Sequence, residues 1–473
     1  MNEQNNSPEI EYFAAQKKIF PKNVTGRFRS LKWAIMVICL GVYYFTPLLR
    51  WTRPGDIPDQ AILIDLPARR AYFFMIEIWP QEVYYLTGIL ILAAVALFFV
   101  TSLLGRVWCG YLCFQTVWTD LFVKVEHLIQ GDRNARIKLD NGPLTFEKIW
   151  KKGLTHLVWL FIGFTTGGAF VFYFNDAPVL WNDIINFQVS STIMAFVFGL
   201  TISTYIMAGF AREQVCTYMC PYARFQSAMF DRETLIIGYD KTRGETRGKS
   251  KGTNREGLGD CIDCSLCVQV CPTGIDIRNG LQMECIACGL CVDACDNVME
   301  KIGKPKGLVR YDTEHNLELR AQGHNPELHL LRPRTVYYTI LLLSVCGLML
   351  ASLLMRSPLE IHAIHDRNPL FVMMSDGTIR NGYDIKILNK AHEERHFTLT
   401  VSGIDNAQIE LQGVEGASVQ DMKVKPDSVG AFRVFVLAQD IKKPSSDIVF
   451  QVKDNISGVS DDVPSIFITK IGE

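Results

Sequence analysis

Eight cysteines fall within 35 residues: Cys261, Cys264, Cys267 and Cys271, then Cys285, Cys288, Cys291 and Cys295. Each half reads C-x-x-C-x-x-C-x-x-x-C, the spacing by which thiolates hold 4Fe–4S clusters in pairs. Three closely spaced sulfurs reach three corners of one cube. The fourth of each run cannot turn back to it and crosses to the other. The expected ligand sets are therefore Cys261, Cys264, Cys267 and Cys295 for one cluster, and Cys285, Cys288, Cys291 and Cys271 for the other. Pro272 turns the chain after the first run; Asp296 stands at that place in the second, which changes the turn and removes no ligand. Zinc is the rival, since C-x-x-C also builds zinc ribbons. The duplication with crossover spacing favours clusters, and hence one-electron transfer.

The chain that carries them reads as a membrane protein. Of 473 residues 48% are hydrophobic, and five stretches are apolar over about 20 residues, enough to cross a bilayer as helices. They run over roughly 31–49, 83–104, 154–174, 189–210 and 336–354, with Trp33, Trp51, Tyr84, Tyr85, Tyr337 and Tyr338 at their ends, where interfacial aromatics collect. Residues 1–32 hold six Lys/Arg, 105–153 eight and 211–335 seventeen, whereas 175–188 hold none. Basic loops stay in the cytoplasm. The N-terminus and the cysteine-rich insert are thus expected inside a bacterial inner membrane, and everything after the fifth helix in the periplasm. No cleavable signal peptide is visible. The net charge of −1 and the lack of a basic recognition helix give no reason to invoke nucleic acid.

The expected organisation is a cytoplasmic segment (1–30), a membrane domain with helices one to four (31–235), a flexible charged linker (236–254), the ferredoxin-like insert (255–310), a linker with the fifth helix (311–355), and an external domain (357–473). The loop 62–82 is apolar but interrupted by Pro67, Arg69, Arg70 and Pro80, and is expected to lie in the outer interface. The external domain has no cysteine, hence no disulfide. Seven short β-prone runs, 371–374, 383–388, 397–401, 408–411, 431–437, 447–452 and 465–469, point to an immunoglobulin-like β-sandwich, with a small barrel as the alternative.

A second cysteine pattern repeats. Cys109 and Cys113 follow the second apolar stretch; Cys216 and Cys220 follow the fourth. Both pairs are C-x-x-x-C, which places two thiols on one helix face. If the repeats pack about a pseudo-two-fold axis, four sulfurs meet near the inner interface. Soft thiolates suit Cu(I), zinc or an iron–sulfur cluster, and they also cycle as disulfides. Small buried helix-end residues are the plainer explanation for one pair and a weaker one for two. Cys39 and Cys346 read as packing residues. Among histidines, His156 lies in the third apolar stretch, where an ionisable group is a functional candidate or merely snorkels. His362 and His365, at i and i+3, are candidate metal ligands or part of a solvated linker.

These motifs resemble the cytochrome c oxidase accessory protein family (FixG/RdxA/CcoG). The resemblance rests on the insert, on 105–113 (GRVWCGYLC), on 213–226 (EQVCTYMCPYARFQ), and on 366–371 (DRNPLF) with Asp376-Gly377 and 381–383 (NGY). It covers essentially 27–473, with Phe114 where the family often has proline. It implies a role in assembling the cbb(3)-type haem–copper oxidase, with reduction of Cu(II) to Cu(I) at Cys109, Cys113, Cys216 and Cys220, alongside copper transporters and chaperones. Two other classes stay open. One is a quinol-linked electron-transfer subunit feeding a periplasmic reductase, which would hold no copper. The other is a non-redox assembly scaffold. The electron donor is unnamed, cytoplasmic or quinol, and a homodimer is compatible with the sequence without being shown by it.

Overall fold

In the computed structural model, residues 18–53, 57–249, 257–327, 329–404, 407–411, 421–439, 441 and 443–469 are described. The chain divides into two compact units, Met1–Trp51 with Gln60–Met349, and Thr52–Asp59 with Leu350–Glu473.

The described residues include five helices long and apolar enough to cross a membrane. Their helical cores are Arg27–Phe45, Tyr84–Leu104, Phe146–Val171, Ser191–Ile206 and Pro333–Leu354. A helix satisfies its own backbone, which hydrocarbon demands. The third and fourth pack closely because Gly163 and Gly167 face Thr201 and Val197. A Cβ on Gly167 would stand 2.7 Å from the Val197 carbonyl oxygen. Small residues four apart allow this approach where lipid provides no hydrophobic drive. The first helix joins the third through Tyr43, whose hydroxyl donates to the Thr166 carbonyl at 2.8 Å. The fourth continues into two π-helical turns, Met207–Ala211 and Val215–Met219. Such turns recur at functional sites.

An amphipathic helix, Phe114–Gln130, buries Phe122 and Val125 against Trp159 and Ala208, with the Phe122 and Trp159 rings stacked at 5.2 Å. Its Glu126 lies between Arg136 (2.8 Å) and Arg212 (2.7 Å), all three buried. Desolvation raises the Glu126 carboxyl, but Arg212 and Arg136 outweigh it and hold it below the usual range.

The loop after the first helix is a three-stranded antiparallel sheet, β1 (Ile62–Asp65), β2 (Arg70–Phe73) and β3 (Ile76–Ile78). The breaks at Pro67 and Arg69 are its turns. The linker expectation is corrected for part of 236–254. β4 (Leu235–Tyr239) pairs antiparallel with β5 (Val309–Thr313), Leu235 opposite Thr313. Ile236, Ile237 and Tyr239 are buried there, because this apolar run precedes the charged stretch. Residues 250–254 of that linker lie outside the described residues. The segment 311–333 likewise holds β5 and a helix, Glu314–Ala321. Of the polar segment 1–30, residues 1–17 lie outside the described residues. The rest is held: Lys22 donates its amide to the Gln269 carbonyl at 2.8 Å.

The second unit is a β-sandwich. One sheet runs β10 (Gln408–Leu411), β12 (Ser428–Ala438), β8 (Ile379–Asn389), β6 (Leu359–His365), with β7 (Val372–Met373) on β8. The other runs β11 (Met422–Val424), β9 (Arg395–Ser402), β13 (Ser445–Asp454), β14 (Ser460–Ile468). Alternation puts Tyr383, Ile385 and Ile387 of one sheet against Phe450, Val452 and Phe467 of the other. Two strands escaped the sequence reading. β11 has three residues. β6 was read as linker because its histidines broke the apolar run. Residues three apart on a strand point to opposite faces, so His362 and His365 cannot share one ion. His365 instead bonds Asn381 Oδ1 at 2.8 Å and packs on Tyr383.

Candidate metal centres and the thiol pairs

The two cysteine runs follow one backbone plan. Asp263 and Ser265 in the first, and Ala287 and Gly289 in the second, are left-handed, with φ of 51°, 54°, 51° and 74°. Each pair occupies the same places in its run, between and just after the first two cysteines. Such turns aim successive amides into a concavity suited to anions, iron–sulfur cores among them.

Two cavities result. One is lined by Cys261, Cys264, Cys267 and Cys295 with Tyr239, Val298 and Leu308. The other is lined by Cys271, Cys285, Cys288 and Cys291 with Ile237, Ile275 and Ile277; Cys267 also reaches its wall. Burial pushes the Cys267 thiol up to about 11 and those of Cys285 and Cys295 up to about 12. Left to themselves these are neutral thiols at pH 7; a positively charged core is what makes such groups thiolates. Counting Cys267 with the first, each cavity gathers four cysteines, three from one run and one from the other, the number of thiolates that one cube takes.

The four C-x-x-x-C thiols also converge. Cys113, Cys216 and Cys220 are near enough for their charges to act on Cys109. Burial first, then Cys113, pushes the Cys109 thiol up to about 12, against the pull of Arg106. Its Sγ donates to Gln226 Oε1 at 3.2 Å. Leu112 closes the short helix Val107–Tyr111 and Cys113 caps the next, Phe114–Gln130; Cys220 caps Pro221–Met229.

Between the two cysteine systems there is direct contact. Tyr111 donates its hydroxyl to the Cys288 carbonyl at 2.9 Å. Arg106 bonds the carbonyls of Met283 and Ala223. A Cβ on Gly110 would meet the Ile286 carbonyl oxygen at 2.7 Å and that of Ala287 at 3.0 Å, so only glycine lets these loops touch. Cys109 packs against the apolar cluster that includes Ile286 and Cys288. Asp293 accepts from the amides of Phe28 (3.1 Å) and Arg29 (2.7 Å), closing the first membrane helix from within the insert. Sequence reasoning quoted Arg106, Gly110 and Tyr111 within the 105–113 motif but gave them no role, and it did not reach Asp293. A glycine between two motif cysteines was the one available signal of close approach.

His156 lies elsewhere. It lines an open cavity with Glu126, Lys152, Trp159, Phe210 and Arg212, its Nδ1 3.0 Å from the Tyr205 hydroxyl. Cys346 is exposed on the fifth helix and Cys39 half-buried in the first.

Three family profiles match: a 4Fe–4S dicluster domain over residues 211–314, a 4Fe–4S binding domain over 86–135, and the Ig-like fold at the C-terminus of FixG over 349–470. The chain is 45% identical to the nitrogen fixation protein FixG of Rhizobium meliloti, over 90% of this chain and 87% of that one. It is 45% identical to protein RdxA of Cereibacter sphaeroides over 92% of each, and 47% identical to protein RdxB of the same organism over 90% of each. The profiles and the two cavities make this an iron–sulfur protein with apolar helices for a membrane.

Proposed function

Because this chain belongs to the FixG/Rdx family of iron–sulfur membrane proteins, we propose that it is an oxidoreductase that reduces Cu(II) to Cu(I) for assembly of a cbb(3)-type cytochrome oxidase. Cys261, Cys264, Cys267 and Cys295 hold one 4Fe–4S cluster, and Cys271, Cys285, Cys288 and Cys291 the other. When bound, each supplies a one-electron carrier. Copper is the substrate: Cu(II) takes one electron and becomes Cu(I), and a cytoplasmic or quinol donor replaces that electron. Cys109, Cys113, Cys216 and Cys220 bind the metal, and soft sulfur donors favour the cuprous state. Arg106, Gly110 and Tyr111 hold this thiol group against the Cys285–Cys288 loop, and that contact is the observation that carries the reading. The basic loops support an N-terminus and insert inside the inner membrane and the sandwich in the periplasm, where it meets the oxidase or copper carriers.

The test uses protein reduced beforehand and freed of reductant, mixed anaerobically with Cu(II), with Cu(I) trapped by a coloured chelator. The double substitution Cys216→Ser/Cys220→Ser should slow Cu(I) formation roughly 100-fold or more, the scale on which ligand-sphere losses act, with iron unchanged at about eight per chain. Gly110→Val keeps every thiol and should slow it as well, by forcing the loops apart. Unchanged rates in both would end the copper assignment. The 86–135 match to a 4Fe–4S binding domain favours one second reading, a further cluster on the four thiols. It requires about twelve irons, falling to about eight in the double variant.

A further inference from the structure

We propose that Glu233, His315 and His329 form a separate binding site for a divalent transition-metal ion, with Cu(II) held most tightly. The three donors come from three places: the turn before β4, the helix Glu314–Ala321, and the approach to the fifth membrane helix. Their ligand atoms all lie within 4.8 Å of one another. Glu233 Oε1 is 4.0 Å from His315 Nδ1, and Glu233 Oε2 is 3.5 Å from His329 Nδ1. Both gaps exceed a hydrogen bond, normally 2.7–3.2 Å. Both are under the span of about 4.2 Å that two donors reach across one ion at 2.0–2.2 Å each.

The surroundings support a built site. Glu327 stands 3.4 Å from His329 Nε2, on the side of the ring away from Glu233, and adds a second negative charge beside the site. The segments are pinned together by bonds outside the triad. His315 donates its amide to the Arg232 carbonyl at 3.0 Å. Glu327 donates its amide to Asn316 Oδ1 at 2.8 Å. Arg332 pairs with Asp231 at 2.6 Å. The neighbouring Arg232 is neutralised by Glu318. All three donors keep partial access to solvent, so an ion can enter.

Two imidazoles and a carboxylate are borderline donors. They suit divalent ions, and among first-row metals Cu(II) binds such sets most strongly. The four C-x-x-x-C thiols have the opposite preference. One chain thus offers nitrogen and oxygen to the oxidised metal and sulfur to the reduced one. That this site is where Cu(II) waits before reduction rests on the proposed function; the binding itself does not.

The experiment adds one equivalent of Cu(II) to the oxidised, cluster-loaded, full-length protein and records its paramagnetic resonance spectrum. The expected signal shows coupling to two nitrogens and persists in the quadruple variant with Cys109, Cys113, Cys216 and Cys220 changed to serine. His315→Gln and His329→Gln should each weaken binding roughly 100-fold or more and remove the two-nitrogen pattern. Zn(II) raised to a large excess, enough to offset the tighter hold on Cu(II), should weaken the signal in the unaltered protein, a measurement independent of how any variant folds. A two-nitrogen signal intact in both histidine variants, a signal lost in the quadruple variant, or no competition by Zn(II) would overturn the site. Cu(I) production is read separately, so losing one property leaves the other measurable.

Discussion

Alanine at Cys271 and alanine at Cys285 are expected to destroy the same cluster, although the two residues stand in different cysteine runs. Both line the second cavity. Cys295, from the second run, lines the first. Each single variant should lower iron and labile sulfide from about eight to about four per chain. The doubles discriminate. Cys271→Ala/Cys285→Ala should still hold about four irons, because both losses fall on one cube. Cys271→Ala/Cys295→Ala should hold almost none. Uncrossed ligation would empty the Cys271→Ala/Cys285→Ala variant as well, so iron analysis of that variant decides the pairing directly. Zinc in place of iron in the unaltered protein, with no labile sulfide, would remove the iron–sulfur premise altogether.

Glu126→Gln should cost about 3–5 kcal/mol of stability, the usual consequence of deleting one member of a buried ion group. Glu126 accepts from both Arg136 and Arg212. Arg136 is 1% exposed and Arg212 8%, so two guanidiniums would lose their counter-charge at once. The loss should appear as earlier unfolding in detergent, followed by tryptophan fluorescence, to which Trp159, with Arg212 5.5 Å over its ring, contributes. The sign of the pH response follows from the lowered carboxyl. Its contribution is complete above the unfolded value, near 4.3, and is lost as pH falls from there through the lower folded value. The unaltered protein should therefore lose stability on acidification in that window, and Glu126→Gln should lose this component. Equal stability and equal acid response of the two would show that the ion group carries no net weight.

Much of this molecule could be read along the chain because its signals are local. Five long apolar runs must be helices in lipid. The sandwich strands announced themselves where alternation was unbroken, as in 383–388 and 447–452. What escaped depends on partners far away in sequence. β4 is five residues at the edge of a charged stretch, and it becomes a strand because β5 arrives beside it. The polar histidines of β6 hid a strand whose Leu359 and Ile361 are nonetheless buried. The meeting of Gly110 with the Ile286 and Ala287 carbonyls joins positions that no periodicity links. The triad Glu233, His315 and His329 was invisible for the same reason: none has a motif neighbour, and only the packing of β4 and β5 brings their segments together.

The closure of the first membrane helix by Asp293 has a consequence for biogenesis. The amides of Phe28 and Arg29 emerge from the ribosome unpaired, and the carboxylate that receives them is made about 265 residues later. A helix N-terminus without such an acceptor loses on the order of 1 kcal/mol. Asp293 lies in the helix Leu290–Lys301, which carries Cys291 and Cys295. The first turn of the earliest span therefore receives its acceptor only after the last cysteine run has been made.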